Sequence, residues 1–195
     1  MAEEKDLIRI LIAEDERPFR VLLFEELQDE NRLIKTAADG LEALEFLKKE
    51  EFDLLITDLK MPQMGGMELL KEAKRLRPEL LVIVITGYAS LETAILALKE
   101  GAYDYIRKPF SLEELKVSVN NACTRILLER ENRRLLEDLK KAYQRLKEAV
   151  SSSKPGPRSL LDELERLARL HREGFLDEEE FEAVKQILIE RANYG

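Results

Sequence analysis

The chain has 195 residues, of which 45% are hydrophobic and 37% are charged, and its formal net charge is −8. This length and composition indicate a globular protein with one full domain and an appendage, and the acidic balance disfavours nonspecific binding to nucleic acids. The single cysteine, Cys123, excludes an internal disulfide framework and fits a reducing compartment. The acidic first residues lack the apolar core of a signal peptide, and no run approaches the length of a membrane span. We therefore expect a cytoplasmic protein that does not enter the membrane.

Short apolar runs alternate with helical patterns from residue 7 to about residue 120. The runs predict strands at 7–13, 33–37, 54–58, 80–85 and 103–107. Between them, apolar spacing predicts helices at 18–29, 41–49, 67–75 and 90–100 and a fifth that begins at Ser111. This alternation predicts an α/β fold with a doubly wound, mostly parallel, five-stranded sheet covered by helices on both faces.

Local signals sharpen two of these helices. Leu41, Leu44 and Leu47 recur at helical spacing and are expected on the inner face of the second helix. Ser90 is the expected N-cap of the fourth helix, and Gly101 is expected to end it.

Polar side chains close four of the five predicted strands. Glu14 and Asp15 follow the first strand, Asp58 ends the third, Thr86 ends the fourth and Lys108 follows the fifth. The carboxyl ends of parallel strands meet at one rim of a sheet, so these side chains are expected to lie together. Three carboxylates would raise one another's proton affinity, and Mg²⁺, which takes oxygen ligands, would stabilise them.

Such a rim can hold a phosphoryl group. Asp58 is the candidate nucleophile, Mg²⁺ and Lys108 would neutralise the charge that develops during transfer, and Thr86 adds a hydroxyl donor. Gly87, which lacks a side chain, would leave room for the incoming donor.

Five segments occur in order at characteristic spacings: 12–16 (IAEDE), 40–44 (GLEAL), 57–62 (TDLKMP), 85–88 (ITGY) and 101–110 (GAYDYIRKPF). Together they make the first 120 residues or so resemble the receiver domain of bacterial two-component response regulators. The resemblance implies that Asp58 accepts a phosphoryl group from the phosphohistidine of a histidine kinase. It also implies that the Mg²⁺ ligands are Glu14, Asp15, Asp58 and the backbone carbonyl of Lys60.

The same resemblance implies a switch and a turn. Thr86 and Tyr105 match the family's switch pair, in which the hydroxyl turns toward the phosphoryl group and the aromatic ring moves inward. The bond between Lys108 and Pro109 matches the family's cis peptide. Glu14 stands where aspartate is also common in the family, and its longer arm still carries a carboxylate.

Phosphatases of the haloacid dehalogenase type also form a phosphoaspartate, but they need a second aspartate two residues after the nucleophile. Position 60 is a lysine here. We therefore expect no enzymatic activity beyond self-phosphorylation from a phosphodonor and slow autodephosphorylation.

A heptad pattern continues from the fifth helix. It consists of Leu128, Asn132, Leu135, Leu139, Ala142, Leu146 and Ala149. Such a seam predicts one long helix over 111–150 that forms a parallel homodimer, because a buried asparagine at an a position fixes two-stranded register. A single amphipathic helix folded back on its own receiver is the alternative. Residues 125–150 contain eight basic and five acidic side chains, too small an excess to indicate direct contact with DNA.

Beyond this helix, a linker at 151–157 (SSSKPGP) precedes a two-helix pattern. Asp177 and Glu180 are spaced as a capping box at the start of its second helix, and the break before it contains Gly174. On the inner faces we expect Leu160, Leu161, Leu164, Leu167 and Ala168 in the first helix and Phe181, Val184, Ile187 and Leu188 in the second.

This pattern resembles the short C-terminal (SHOCT-like) domain, which implies self-association or docking to another protein. The alternative is a hairpin packed on the receiver. His171, the single histidine, is expected on a helix surface rather than in a phosphotransfer site.

The predicted organisation is therefore a receiver domain at 6–122, a coiled-coil extension at 123–150, a linker at 151–157 and a hairpin at 158–195. We see no helix-turn-helix, ATPase or cyclase signature after the receiver, so the expected output is a change in protein–protein interaction with a downstream protein that the sequence does not identify. A constitutive dimeric scaffold or a phosphate sink is the alternative.

Overall fold

The computed structural model describes residues 7–152 and 160–193. Its strands are β1 (Ile8–Ala13), β2 (Arg32–Ala37), β3 (Leu54–Asp58), β4 (Leu81–Thr86) and β5 (Asp104–Arg107). They form one sheet in the order β2-β1-β3-β4-β5, and every neighbouring pair is parallel. The predicted doubly wound α/β fold is confirmed.

Helices alternate with the strands and continue after the sheet. They are α1 (Arg17–Glu26), α2 (Gly40–Lys49), α3 (Gly66–Leu76), α4 (Leu91–Lys99), α5 (Leu112–Ser152), α6 (Leu160–Arg172) and α7 (Glu178–Asn193). The first helix ends three residues before the predicted Asp29. Asp29 instead makes a turn, since its carboxylate accepts the Asn31 N–H at 3.0 Å and its carbonyl accepts the Arg32 N–H at 3.1 Å.

Two apolar layers cover the sheet. Because side chains alternate along a strand, Leu55 faces the layer made with α2 and α3, whereas Leu54 and Ile56 face the layer made with α1 and α5. Every residue of β3 and β4 is buried, as expected for central parallel strands. The expected inner face of α2 is wrong at Leu41, which is 42% exposed, and Ala43 is buried on that face.

The expected cap of α4 is present and more elaborate than the sequence indicated. The Ser90 hydroxyl accepts the Thr93 N–H at 3.1 Å, and the Thr93 hydroxyl accepts the Ser90 N–H at 3.0 Å. Gly101, with φ of 93°, follows α4 in the left-handed region that favours glycine.

Helix α5 is one continuous helix to Ser152, so the predicted linker begins inside it at 151 and 152; residues 153–159 lie outside the described residues. Its early turns pack on the sheet. Further along, Arg130 donates to the Asp53 carboxylate at 2.6 Å and to the Leu7 carbonyl at 3.1 Å. The chain divides into two compact units between Leu135 and Leu136.

The second unit contains α6 and α7, which pack on each other as the predicted hairpin. Gly174, with φ of 78°, ends α6, and the Phe175 N–H reaches back to the Leu170 carbonyl at 3.0 Å. The capping box of α7 is confirmed, since Asp177 and Glu180 each accept the other's backbone N–H at 2.8 and 3.1 Å.

The expected inner faces of the hairpin are wrong at four residues: Leu161 and Ile187 are 66% and 62% exposed, and Leu160 and Val184 are each 37% exposed. Two short helices have too little facing surface to bury every apolar side chain. Among the hairpin side chains that the structure describes, Leu167 is the buried one, at 6% exposure. His171 on α6 is partly exposed, and its ring stacks on Phe181 with 4.7 Å between ring centres. Among the described residues, no helix is long and apolar enough to cross a membrane.

Candidate functional site

The predicted rim exists at the carboxyl ends of the strands. Glu14 directly follows β1, while Asp58 and Thr86 are the last residues of β3 and β4. Lys108 directly follows β5 and is tied to the neighbouring strand, because its N–H donates to the Thr86 carbonyl at 2.8 Å. Glu14, Asp58 and Thr86 are all buried, so this polar group lies below the surface of the rim.

The Lys108 ammonium joins the two buried carboxylates. It donates to Glu14 Oε2 at 2.9 Å and to Asp58 Oδ2 at 2.7 Å. The other Asp58 oxygen, Oδ1, accepts the Lys60 N–H at 3.0 Å. Asp58 is therefore held at both oxygens, with its carboxylate oriented by the backbone on one side and by a cation on the other.

The charges of this group perturb one another. Burial raises the pKa of the Glu14 carboxyl, with a smaller contribution from the Asp58 charge, and these effects outweigh the opposing contacts with Lys108. Burial acts to lower the pKa of the Lys108 ammonium, but its hydrogen bonds and charge interactions with Asp58 and Glu14 together raise it above its ordinary value. Two buried carboxylates thus share one lysine, and their negative charge is incompletely compensated.

Asp15, the second member of the predicted acidic pair, has an exposed side chain. Within residues 7–152 and 160–193, no three Asp, Glu, His or Cys side chains converge closely enough to hold a metal ion. The loop itself is held by Arg20, whose guanidinium donates to the carbonyls of Glu14 and Asp15 at 2.5 and 3.2 Å.

The two predicted switch residues are not in contact through their polar atoms. The Thr86 hydroxyl accepts the Tyr88 N–H at 3.1 Å. The Tyr105 hydroxyl instead lies 2.9 Å from the hydroxyl of Thr93, inside the capping box of α4. The ring of Tyr105 is partly buried and packs against the core. The peptide bond between Lys108 and Pro109 is cis, as the resemblance implies.

The profile of the response regulator receiver domain family matches residues 10–120. The chain belongs to this family. The matched range begins within β1 and ends within α5, so it contains most of β1, the other four strands and every residue of the rim.

Similar proteins agree with this receiver assignment. Over 115 residues the chain is 36% identical to the transcriptional regulatory protein ZraR of Klebsiella oxytoca, covering 59% of this chain and 26% of ZraR. Over 128 residues it is 38% identical to an NtrX-like putative response regulator of Rickettsia bellii, covering 65% of this chain and 27% of that protein. The receiver chain thus spans about a quarter of the length of these relatives.

Solved structures match the same fold. A CheY-like receiver from Methanospirillum hungatei superposes with a TM-score of 0.60 at 36% identity, covering 63% of this chain and 98% of its own. NtrX from Brucella abortus superposes with a TM-score of 0.60 at 29% identity, covering 84% of this chain and 34% of its own. The response regulator TrrA of Thermotoga maritima, solved with Mg²⁺ and BeF, gives a TM-score of 0.54 at 34% identity, covering 60% and 99%.

Receiver domains bind Mg²⁺ at the phosphorylation site, and the donor set at this rim fits that ion. Glu14 and Asp58 offer hard oxygen ligands, and burial without full charge compensation favours a further cation beside them. The other two predicted ligands are close in sequence to these carboxylates. Asp15 directly follows Glu14 and is exposed, and the Lys60 carbonyl belongs to the loop that follows Asp58.

Sequence reasoning missed Gly66, the first residue of α3. A Cβ atom built there would overlap the backbone carbonyl of Asp58, so the start of α3 approaches β3 as closely as it does only because this residue lacks a side chain. The helix predicted there begins at residue 67, and nothing in the sequence relates Gly66 to Asp58.

We expect Gly66→Ala to destabilise the receiver by about 1–3 kcal/mol, the usual range for an overpacked site, because the group that the new methyl meets is backbone and cannot rotate away. Urea unfolding measures this loss. Gly87→Ala is the matched control, since a Cβ there comes no closer than 4.0 Å to another atom. Equal unfolding midpoints for the two variants would contradict the expectation.

Proposed function

We propose that this receiver is a cytoplasmic response regulator whose Asp58 accepts a phosphoryl group from the phosphohistidine of a histidine kinase. The observation that carries the proposal is the arrangement of Asp58, which is buried at the end of β3 and oriented by Lys108 and the Lys60 N–H. An orienting cation and a backbone donor prepare a carboxylate to attack in line and hold the product.

In the proposed step an Asp58 oxygen attacks phosphorus, a P–O bond forms, and the P–N bond to the donor imidazole breaks. The imidazole leaves with the bonding pair and takes up a proton. Lys108 lies 2.7 Å from Asp58 and is placed to neutralise charge on the transferred group. When bound, Mg²⁺ would supply electrostatic stabilisation of the phosphoryl oxygens, held by Glu14, Asp15, Asp58 and the Lys60 carbonyl.

The direct test uses a small phosphodonor such as phosphoramidate, with and without Mg²⁺. Intact-mass measurement should show one added phosphoryl group that depends on Mg²⁺ and is lost slowly by hydrolysis. No turnover of stable phosphomonoesters is expected, because position 60 holds lysine rather than a second acid. Failure to label under any donor would contradict the proposal.

We further propose that Thr86 and Tyr105 act as the switch. The hydrogen bond between Tyr105 and Thr93 supports a specific form of this switch, in which Thr93 holds the Tyr105 ring in the position that it takes before Asp58 is phosphorylated. Inward movement of the ring would break this bond and disturb the cap of α4.

We expect Thr93→Val to favour the phosphorylated conformation. Of the hydrogen bonds that the Thr93 hydroxyl makes, the cap bonds with Ser90 are lost in both conformations, whereas the bond with Tyr105 is lost from the resting conformation alone. If the hydrogen bond between Thr93 and Tyr105 stabilises the resting conformation by about 1 kcal/mol net, its loss would tighten beryllofluoride binding roughly fivefold. Titration followed by tyrosine fluorescence or NMR measures this. Ser90→Ala is the control, since it weakens the same cap but leaves the Tyr105 contact; equal tightening by both variants would argue against a specific latch.

The proposed output is a parallel homodimer through α5, whose assembly or exposed surface changes on phosphorylation. The heptad residues Leu128, Leu135 and Leu139 support it, because they are 56–66% exposed on the continuous helix and have no partner within the described residues. The heptad residues Asn132 and Ala142 are exposed as well, and the side chains of Leu146 and Ala149 lie outside the described residues. The hairpin, with its exposed apolar side chains, is proposed as a second docking module.

Light scattering with size-exclusion chromatography tests the output, with and without Mg²⁺ and beryllofluoride. We expect Leu139→Lys to give a monomer, because it places a charge in the seam, whereas Gln144→Lys on the outer face should leave the mass unchanged. A wild-type monomer under all conditions would contradict the dimer.

A constitutive scaffold is the second candidate. It is favoured by the continuity of α5 and the exposure of Leu135 and Leu139. A dimer whose mass and stability are the same with and without beryllofluoride would support it.

A further inference from the structure

We propose that Phe19 is a positioning residue for Lys108: the face of its ring holds the ammonium over Asp58 before and after phosphoryl transfer. The inference rests on the proposed function, because it assigns Phe19 a part in the reaction of Asp58. Phe19 lies on α1, and nothing in the sequence indicated that it would reach the rim.

The geometry assembles three contacts around one nitrogen atom. Lys108 Nζ lies 2.7 Å from Asp58, 2.9 Å from Glu14 and 4.0 Å from the centre of the Phe19 ring. A cation at this distance from a ring face is attracted by the ring's negative quadrupole. The lysine is therefore held by two carboxylates and by an aromatic face.

The ring is itself held in place from the segment that carries the lysine. Phe110, two residues after Lys108, packs edge-on against Phe19, with 5.8 Å between ring centres and 67° between ring planes. Both rings pack against the buried layer formed by α1, α5 and the sheet. Phe19 thus links α1 to the turn after β5, and the position of its ring is set by packing that does not involve Asp58.

This independence matters for the reaction. Phosphorylation of Asp58 changes the charge and the position of the oxygen atoms that face Lys108. The contacts of the lysine with the carboxylates must therefore rearrange. A lysine has a flexible four-carbon stem and makes few geometric demands on its partners. The Phe19 face is a contact that does not depend on the state of Asp58, and it restricts the positions that the ammonium can take while the carboxylate contacts rearrange.

A double-mutant cycle tests the proposal. Phe19→Leu keeps an apolar side chain but removes the ring face, whereas Phe19→Tyr keeps the face. Each substitution is made in the wild-type chain and in the Lys108→Met variant. We expect Phe19→Leu to lower the rate constant of Mg²⁺-dependent phosphorylation by a small phosphodonor about fivefold, within the range of a partly desolvated cation–π contact. Phe19→Tyr should restore most of the rate, and Phe19→Leu should have no further effect when Lys108 is already methionine.

A second phenylalanine provides the matched control. Phe46 lies on α2, and the centre of its ring is 3.9 Å from Nζ of Lys35 on β2. Phe46 is partly buried, as Phe19 is. Phe46→Leu removes a contact of the same kind and should leave the rate of phosphorylation unchanged.

The outcomes separate this inference from the proposed function. An unchanged rate in Phe19→Leu, or an equal loss with and without Lys108, overturns the positioning role, whereas wild-type protein that does not label overturns the proposed function. Urea unfolding of the wild type, Phe19→Leu, Lys108→Met and the double variant gives a readout that needs no phosphorylation: positive coupling between Phe19 and Lys108 is expected, and additive losses overturn the contact.

Discussion

Asp58→Asn should abolish phosphorylation, with no added phosphoryl group detectable by intact mass under conditions that label the wild-type protein completely. The asparagine amide has nearly the same shape as the carboxylate, but it has no anionic oxygen to attack phosphorus. The Lys60 N–H can still donate to the amide oxygen, so the loop after β3 should keep its conformation. The loss therefore reports chemistry rather than folding.

The control for this variant is Asp138→Asn on the outer part of α5, where the carboxylate is 75% exposed and should play no part in labelling. Circular dichroism of both variants checks that the fold is retained. Stoichiometric labelling of Asp58→Asn would show that another residue accepts the phosphoryl group.

Lys108→Met should destabilise the Mg²⁺-free protein by about 3 kcal/mol at neutral pH. The lysine is the cation shared by Glu14 and Asp58, and removing one partner of a buried ion pair leaves its charge uncompensated. Methionine keeps most of the apolar volume, so the expected loss is mainly electrostatic. Urea unfolding at pH 7 measures it.

The loss should depend on pH with a definite sign. Burial already raises the pKa of Glu14 above its ordinary 4.5, and the lysine that partly opposes this shift is gone in the variant. A carboxyl whose pKa is raised in the folded state costs stability when it is charged, and the cost is relieved as the pH falls through that raised pKa. The difference between variant and wild type should therefore shrink from pH 7 toward pH 5.

Lys35→Met is the control for this experiment. Its pair with Glu50 is between a third and a half exposed, so its removal should cost less than about 1 kcal/mol at either pH. A loss in Lys108→Met that is equally large at pH 7 and pH 5 would place its origin in packing rather than in the carboxylates.

The alternation of strands and helices and the residues of the rim could be predicted, because both depend on local patterns in the sequence. Apolar runs and helical periods extend over a few residues each, and parallel strands bring their carboxyl ends to one edge whatever their spacing in sequence. Glu14, Asp58, Thr86 and Lys108 could therefore be assigned to one rim before any coordinate was known. Ser90, Gly101 and Asp177 were predictable for the same reason, since caps and left-handed turns are decided within a few residues.

What depends on distance between remote segments was decided by the tertiary structure. Lys108 lies 94 positions from Glu14, and no periodicity relates them. Their ion pair follows from the order of the strands, which brings the ends of β1, β3, β4 and β5 to one rim. The same is true of Phe19 under Lys108, of Gly66 against Asp58 and of Tyr105 beside Thr93.

The helical pattern also overestimated burial, because it marks which side chains are apolar but not how far a neighbouring layer extends. Leu41 and Ile187 were placed on inner faces and are exposed where no neighbour covers them. The sequence by itself determined the receiver fold and which residues reach its rim. The tertiary structure decided which of those residues touch, because contact distances depend on the packing of whole layers and not on any local run of the chain.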